Sequence, residues 1–105
     1  MGVHKHCYYV CITTDMHRRI LETAIINTSK ERSNHLRFEE LASKALDRNP
    51  ECVYILYWEE YQNVFQAVDR ERTIKKMSMK EKKEIISRTN SEWRFLNDKF
   101  YTAIR

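Results

Sequence analysis

The chain has 105 residues, 42% hydrophobic and 32% charged, which suits one compact domain with a modest core and leaves no room for a second. A single Gly and a single Pro exclude Gly-rich phosphate loops, Pro-rich linkers and collagenous or low-complexity classes. The net charge of +4, with a pI near 9.0, permits a polyanionic partner without demanding one.

In chain order, the opening residues MGVHKHC lack the apolar stretch of a signal peptide, and no apolar run reaches the length of a membrane span. The expectation is a cytoplasmic protein with no membrane association. His6 stands where N-myristoylation after Gly2 wants Ser or Thr. Three cysteines, Cys7, Cys11 and Cys52, read as reduced thiols rather than a disulfide framework. The segment Cys7–Thr13, rich in aromatic and β-branched residues, reads as a strand. Thr14-Asp15 offers a helix N-cap, with Met16, Ile20 and Ala24 recurring at helical spacing behind it. Residues 27–35 read as a polar connection, and Phe38, Leu41, Ala42 and Ala45 as the stripe of a second helix ended by Asn49-Pro50.

Cys52–Trp58 is apolar on both alternating faces, the mark of a central strand covered on both sides. From Asn63 a helical period returns through Val64, Ala67, Val68 and Ile74, breaks at Met77-Ser78, and resumes through Ile85 and Ile86. The tail sets Trp93, Leu96, Phe100 and Ala103 on one face and is expected to pack. The fold class is therefore α+β: a small, mainly antiparallel sheet flanked by several helices. Two strands alone are a marginal sheet.

Glu71 falls on the apolar face of its helix, three or four residues from Ala67, Val68 and Ile74. A carboxylate there needs either an arginine partner or a hard divalent cation such as Mg²⁺. Arg70, Arg72, Lys75, Lys76, Lys80, Lys82 and Lys83 surround it and read either as a phosphate-tracking surface or as a solvated helix face. Arg18 and Arg19 follow the first strand, where a guanidinium can reach a phosphate, or pair with Glu22 or Glu71. His4, His6, Cys7, Cys11 and Cys52 include metal-ligand types, but their spacing matches no usual zinc pattern. A free Gly2-Val3-His4 terminus is competent to chelate Cu²⁺ or Ni²⁺, a property many termini share by chance.

Several stretches together resemble the GIY-YIG nucleases, and within that family the small single-domain proteins similar to the nuclease domain of the bacterial excinuclease C subunit. Val53–Glu60 is similar to the family's third strand, and Ala67–Met77 to its helix pattern A-x-x-x-E-x-x-I-K. Lys82–Ile86 and Asn90–Trp93 are similar to K-K-x-x-L-I and N-P-x-W, with Ser91 in place of proline. Tyr9–Arg19 resembles the second motif strand and first helix, Y-I-G-x-T-x-D-L-x-R-R, with Cys11 at the glycine and Thr23 at the histidine that follows the arginine.

The resemblance implies a metal-dependent phosphodiester endonuclease acting on DNA. Tyr9 would help activate a water, Arg19 would face the scissile phosphate, and Glu71 would hold one Mg²⁺ or Mn²⁺. Arg18 and the basic helix residues would hold the nucleic acid. One motif strand with its tyrosine has no counterpart in this reading; alternatively Tyr8–Ile12 is the first motif strand, similar to Y-Y-V-Y-I, and the second is deleted. Pairing by residues 1–6, a strand over Thr23–Thr28, or a strand from a partner chain would repair the sheet, the last implying a homodimer or a partner-bound form. The competing expectation is a catalytically inactive nuclease-fold protein that binds nucleic acid or regulates a protein partner.

Overall fold

A computed structural model describes residues 6–29 and 51–103. The described elements are β1 (His6–Thr14), β2 (Leu21–Ser29), β3 (Tyr54–Tyr61), α1 (Val64–Lys76), α2 (Met79–Thr89) and α3 (Asn97–Ala103). They form an α+β arrangement around a three-stranded antiparallel sheet of order β2-β1-β3. The helix expected over residues 38–49 lies outside the described residues.

The helix expected behind Asp15 is instead a turn and a strand. Asp15 is buried, and its carboxylate accepts from the backbone N–H of Arg19 at 2.7 Å, Ile20 at 3.0 Å and His17 at 3.3 Å. It thereby closes a turn in which Arg18 takes a positive φ of 58°, a value that ends helical geometry in a non-glycine residue. The chain then returns along β1, with Thr14 opposite Leu21, Ile12 opposite Thr23 and Val10 opposite Ile25. β2 is thus the strand whose absence the sequence suggested, close to the Thr23–Thr28 alternative. With it, the argument for a partner chain that supplies a strand falls away.

β1, not β3, is central. The stretch up to Trp58 is apolar on both sides because helices cover both faces of β3 and because its outer edge is partly closed. Leu96 N–H donates to Ile55 O at 2.7 Å, Asn97 Oδ1 accepts from Ile55 N–H at 3.0 Å, and Asn97 Nδ2 donates to Val53 O at 2.8 Å. A register shift between Ile12 and Thr13 is a bulge in β3. It turns both Leu56 and Tyr57 to one face, while Ile55 and Trp58 serve the other.

Val10, Ile12 and Leu56 pack under Ala67 and Ile74 of α1 and Ile85 and Ile86 of α2. On the opposite face Tyr9, Cys11, Ile26 and Ile55 meet Phe100 of α3, whose ring stands edge-on to Tyr9 at 5.2 Å and to Trp58 at 5.3 Å. The tail does pack, although Trp93 joins the α1–α2 side and Ala103 is exposed, so the expected single stripe is divided. Among the described residues no helix is long and apolar enough to cross a membrane.

Candidate nucleic-acid interface

The corner between α1 and α2 is built by local sequence. Asn63 caps α1, its side chain accepting from Phe65 N–H at 2.7 Å and Gln66 N–H at 3.3 Å. α1 ends at Met77, and Ser78 opens α2 with a reciprocal capping box: Glu81 N–H donates to Ser78 Oγ at 3.1 Å, and Ser78 N–H to Glu81 Oε1 at 3.0 Å. The bond from Ser78 N–H, above all, lowers the pKa of Glu81. Lys75 and Lys76 occupy the last turn of α1, where cations complement the helix dipole. Lys80, Lys82 and Lys83 follow directly on α2.

The basic residues divide by environment. Arg72, Lys76, Lys80 and Lys83 are exposed, Lys82 is half-buried, and Lys75 Nζ lies 3.1 Å from Glu71 Oε2. Arg70 is committed elsewhere: its guanidinium grips Glu59, with Nε at 3.0 and 3.1 Å from the two carboxylate oxygens and Nη2 at 3.0 Å from Oε2. Tyr57 and Tyr61 also donate their hydroxyls to Glu59, the latter at 2.6 Å. Burial alone would raise the Glu59 pKa, yet the bonds from Arg70, Tyr57 and Tyr61 hold it below its ordinary value. Burial first, and then Glu59, push Tyr57 up to about 12.

This cluster ties edge strand β3 to α1, and the sequence reading missed it. Its signal was present in the alternation Tyr57, Glu59, Tyr61, which puts three polar tips on one strand face. Arg18 is likewise occupied: Nε donates to Trp93 O at 2.9 Å, and the guanidinium lies 4.0 Å from the centre of the Phe95 ring, which stacks on Tyr54 at 4.1 Å.

Of the three residues assigned to chemistry, Tyr9 and Glu71 lie on opposite sides of the sheet. Tyr9 is 5% exposed on the α3 face of the sheet, and burial drives its hydroxyl pKa well above the ordinary value. Glu71 belongs to α1, which covers the opposite face. Tyr8, half-buried, is the β1 tyrosine on the α1 side. Arg19 is exposed in the β1–β2 turn rather than on a helix. It lines a cavity of about 600 Å³ with His17, Glu51 and Tyr54 among the other walls.

The side chain of Glu71 is 19% exposed and already neutralised by Lys75. An ammonium within salt-bridge distance opposes a dication on the same carboxylate. Among the described residues no three His, Cys, Asp or Glu side chains converge on a metal site; a hard cation at Glu71 would have to displace Lys75 and take most of its shell from water. His4 lies outside the described residues; Cys7 is half-buried, and Cys11 and Cys52 are buried as free thiols. Comparison with protein-family models, curated proteins and solved structures returns no match.

Proposed function

We propose that the protein binds DNA through the α1–α2 corner, on a scaffold similar to that of the GIY-YIG nucleases, without the family's cleavage chemistry. One observation carries this reading: Arg72, Lys76, Lys80 and Lys83 are exposed on either side of a connection whose geometry the Ser78–Glu81 capping box holds. Four solvated cations on a rigid corner can follow a run of phosphates, and each neutralised phosphate releases condensed counterions. The β1–β2 hairpin supports the scaffold part of the reading with Tyr8–Ile12 as the first motif strand and β2 in the place of the second, an alignment that puts Arg19 in the connecting turn and not at the family's helix arginine. The buried Tyr9 and the Lys75-paired Glu71 support binding over cleavage. Cytoplasmic residence belongs to the same reading, supported by three unpaired cysteines, two of them buried in the core.

The test is fluorescence anisotropy of a labelled duplex across about 50–200 mM salt. Engagement of all four cations gives a slope of about −3 to −4 in log K against log salt. Lys76→Ala with Lys80→Ala should reduce its magnitude by about 2. Absence of binding to this duplex and to a single strand of equal length at the lowest salt, or a slope indifferent to both substitutions, would defeat the proposal. Adding Mg²⁺ or Mn²⁺ to the same samples tests cleavage. Cutting that disappears in both Arg19→Ala and Glu71→Gln would restore the endonuclease reading.

A further inference from the structure

Of the two large apolar side chains that α1 exposes, Val64 and Phe65, Phe65 is much the more open to solvent. Phe65 is 76% exposed, whereas Ala67 and Ile74 of the same helix are fully buried. At about 100° per residue, Arg72 and Lys76 both fall within about 20° of Phe65 around the helix axis, so the three form one outer stripe. Along the axis they stand about 10 and 16 Å beyond the ring. Asp69, exposed, is the acid beside this stripe. An aromatic ring in line with solvated cations combines two features found where proteins hold single strands: a stacking platform and a charged track.

We propose that Phe65 stacks on an unpaired base, so that the nucleic acid laid along α1 is single-stranded, with its phosphates meeting Arg72 and Lys76. This rests on the nucleic-acid reading above and narrows its substrate class from DNA in general to single strands. In a duplex, base faces are covered by their neighbours and a side chain on the outside of a helix meets only groove edges and phosphates. A single strand offers its base faces directly. The 16 Å from Phe65 to Lys76 accommodates about five nucleotides at the ~3.4 Å spacing of a stacked strand.

Binding of the full chain to a labelled oligothymidine of about twelve nucleotides, and to a duplex of equal length, tests this at about 50 mM salt. The parent protein should prefer the single strand. Phe65→Ala should weaken single-strand binding about tenfold, leaving duplex binding and the salt slope unchanged. Phe65→Trp should restore affinity, and Phe65→Leu, apolar but without a π face, should not. Because Phe65 lies outside the core, unchanged thermal melting of these variants is expected and separates lost stacking from lost fold.

Single-strand affinity unchanged by Phe65→Ala, or equal losses on single strand and duplex, would overturn the stacking role. If Arg72→Ala and Lys76→Ala weaken binding where Phe65→Ala does not, the stacking inference falls and the phosphate reading stands. If the parent binds neither oligonucleotide, both fall.

Discussion

Asn90 is the residue at which a sequence motif and the tertiary structure can be compared in energy. It caps α2 and is 7% exposed. Its Nδ2 donates to Leu56 O at 3.1 Å and to Arg94 O at 2.9 Å, while Oδ1 accepts from Arg94 N–H at 3.0 Å. Asn90→Ala removes all three, each with a net worth of about 1 kcal/mol. It also strips the side-chain donor from Leu56 O, at the β3 bulge under the helices; an unsatisfied buried carbonyl costs about 1–3 kcal/mol. Allowing for overlap between these terms, the loss should be about 2–4 kcal/mol.

Urea denaturation followed by circular dichroism measures this loss, with an m-value close to the parent's if only the native state changes. Asn90→Asp adds a check on chemistry. At neutral pH it sets a carboxylate oxygen against two carbonyls and should be at least as damaging as alanine. As pH falls and that carboxyl gains a proton, a donor returns and the deficit relative to the parent should shrink. A cost below about 0.5 kcal/mol for Asn90→Ala, or an Asn90→Asp deficit that ignores pH, would refute the bridging role.

Thr23 Oγ1 is buried without a hydrogen-bond partner, so Thr23→Val should stabilise the protein by about 1 kcal/mol; destabilisation in the same denaturation assay would show a partner. Hydrogen bonds from the Ile20, Arg19 and His17 N–H groups lower the Asp15 pKa to about 2. Its folded pKa thus lies below the unfolded value of about 3.9, so its contribution is complete above that value and lost as pH falls through about 2. The stability gap between the parent and Asp15→Asn should therefore narrow across that window; a constant gap from pH 5 to 2 would contradict the turn's dependence on charge. Because the Tyr9 ring is in the core, Tyr9→Phe should leave nucleic-acid affinity unchanged. A loss of affinity with an intact melting temperature would return Tyr9 to the site.

β1, β3, α1 and α2 were legible because their signals are local. β-branched and aromatic runs suit strands, while the helical period from Asn63 and its break at Met77-Ser78 mark the helix starts within a few residues. The basic corner was legible for the same reason, since that period and its break suffice to place Lys75, Lys76 and Lys80. The segment after Asp15 was not. Met16, Ile20 and Ala24 satisfy a helical period, whereas Leu21, Thr23 and Ile25 satisfy a strand's, and a single sequence contains both patterns.

By itself, then, the sequence determined the α+β class, the capped α1–α2 corner and the cations around it, all set by residues within a turn or two of one another. Tertiary structure alone decided that residues 21–29 pair with β1, that β1 is central, and that Tyr9 faces α3 while Glu71 rides on the other side. It also decided that Arg70 is spent on Glu59 rather than available to phosphate. These outcomes depend on cross-strand register and on partners distant in sequence. A strand's hydrogen bonds lie in another segment, and a shift of one residue exchanges every side chain between the sheet's faces.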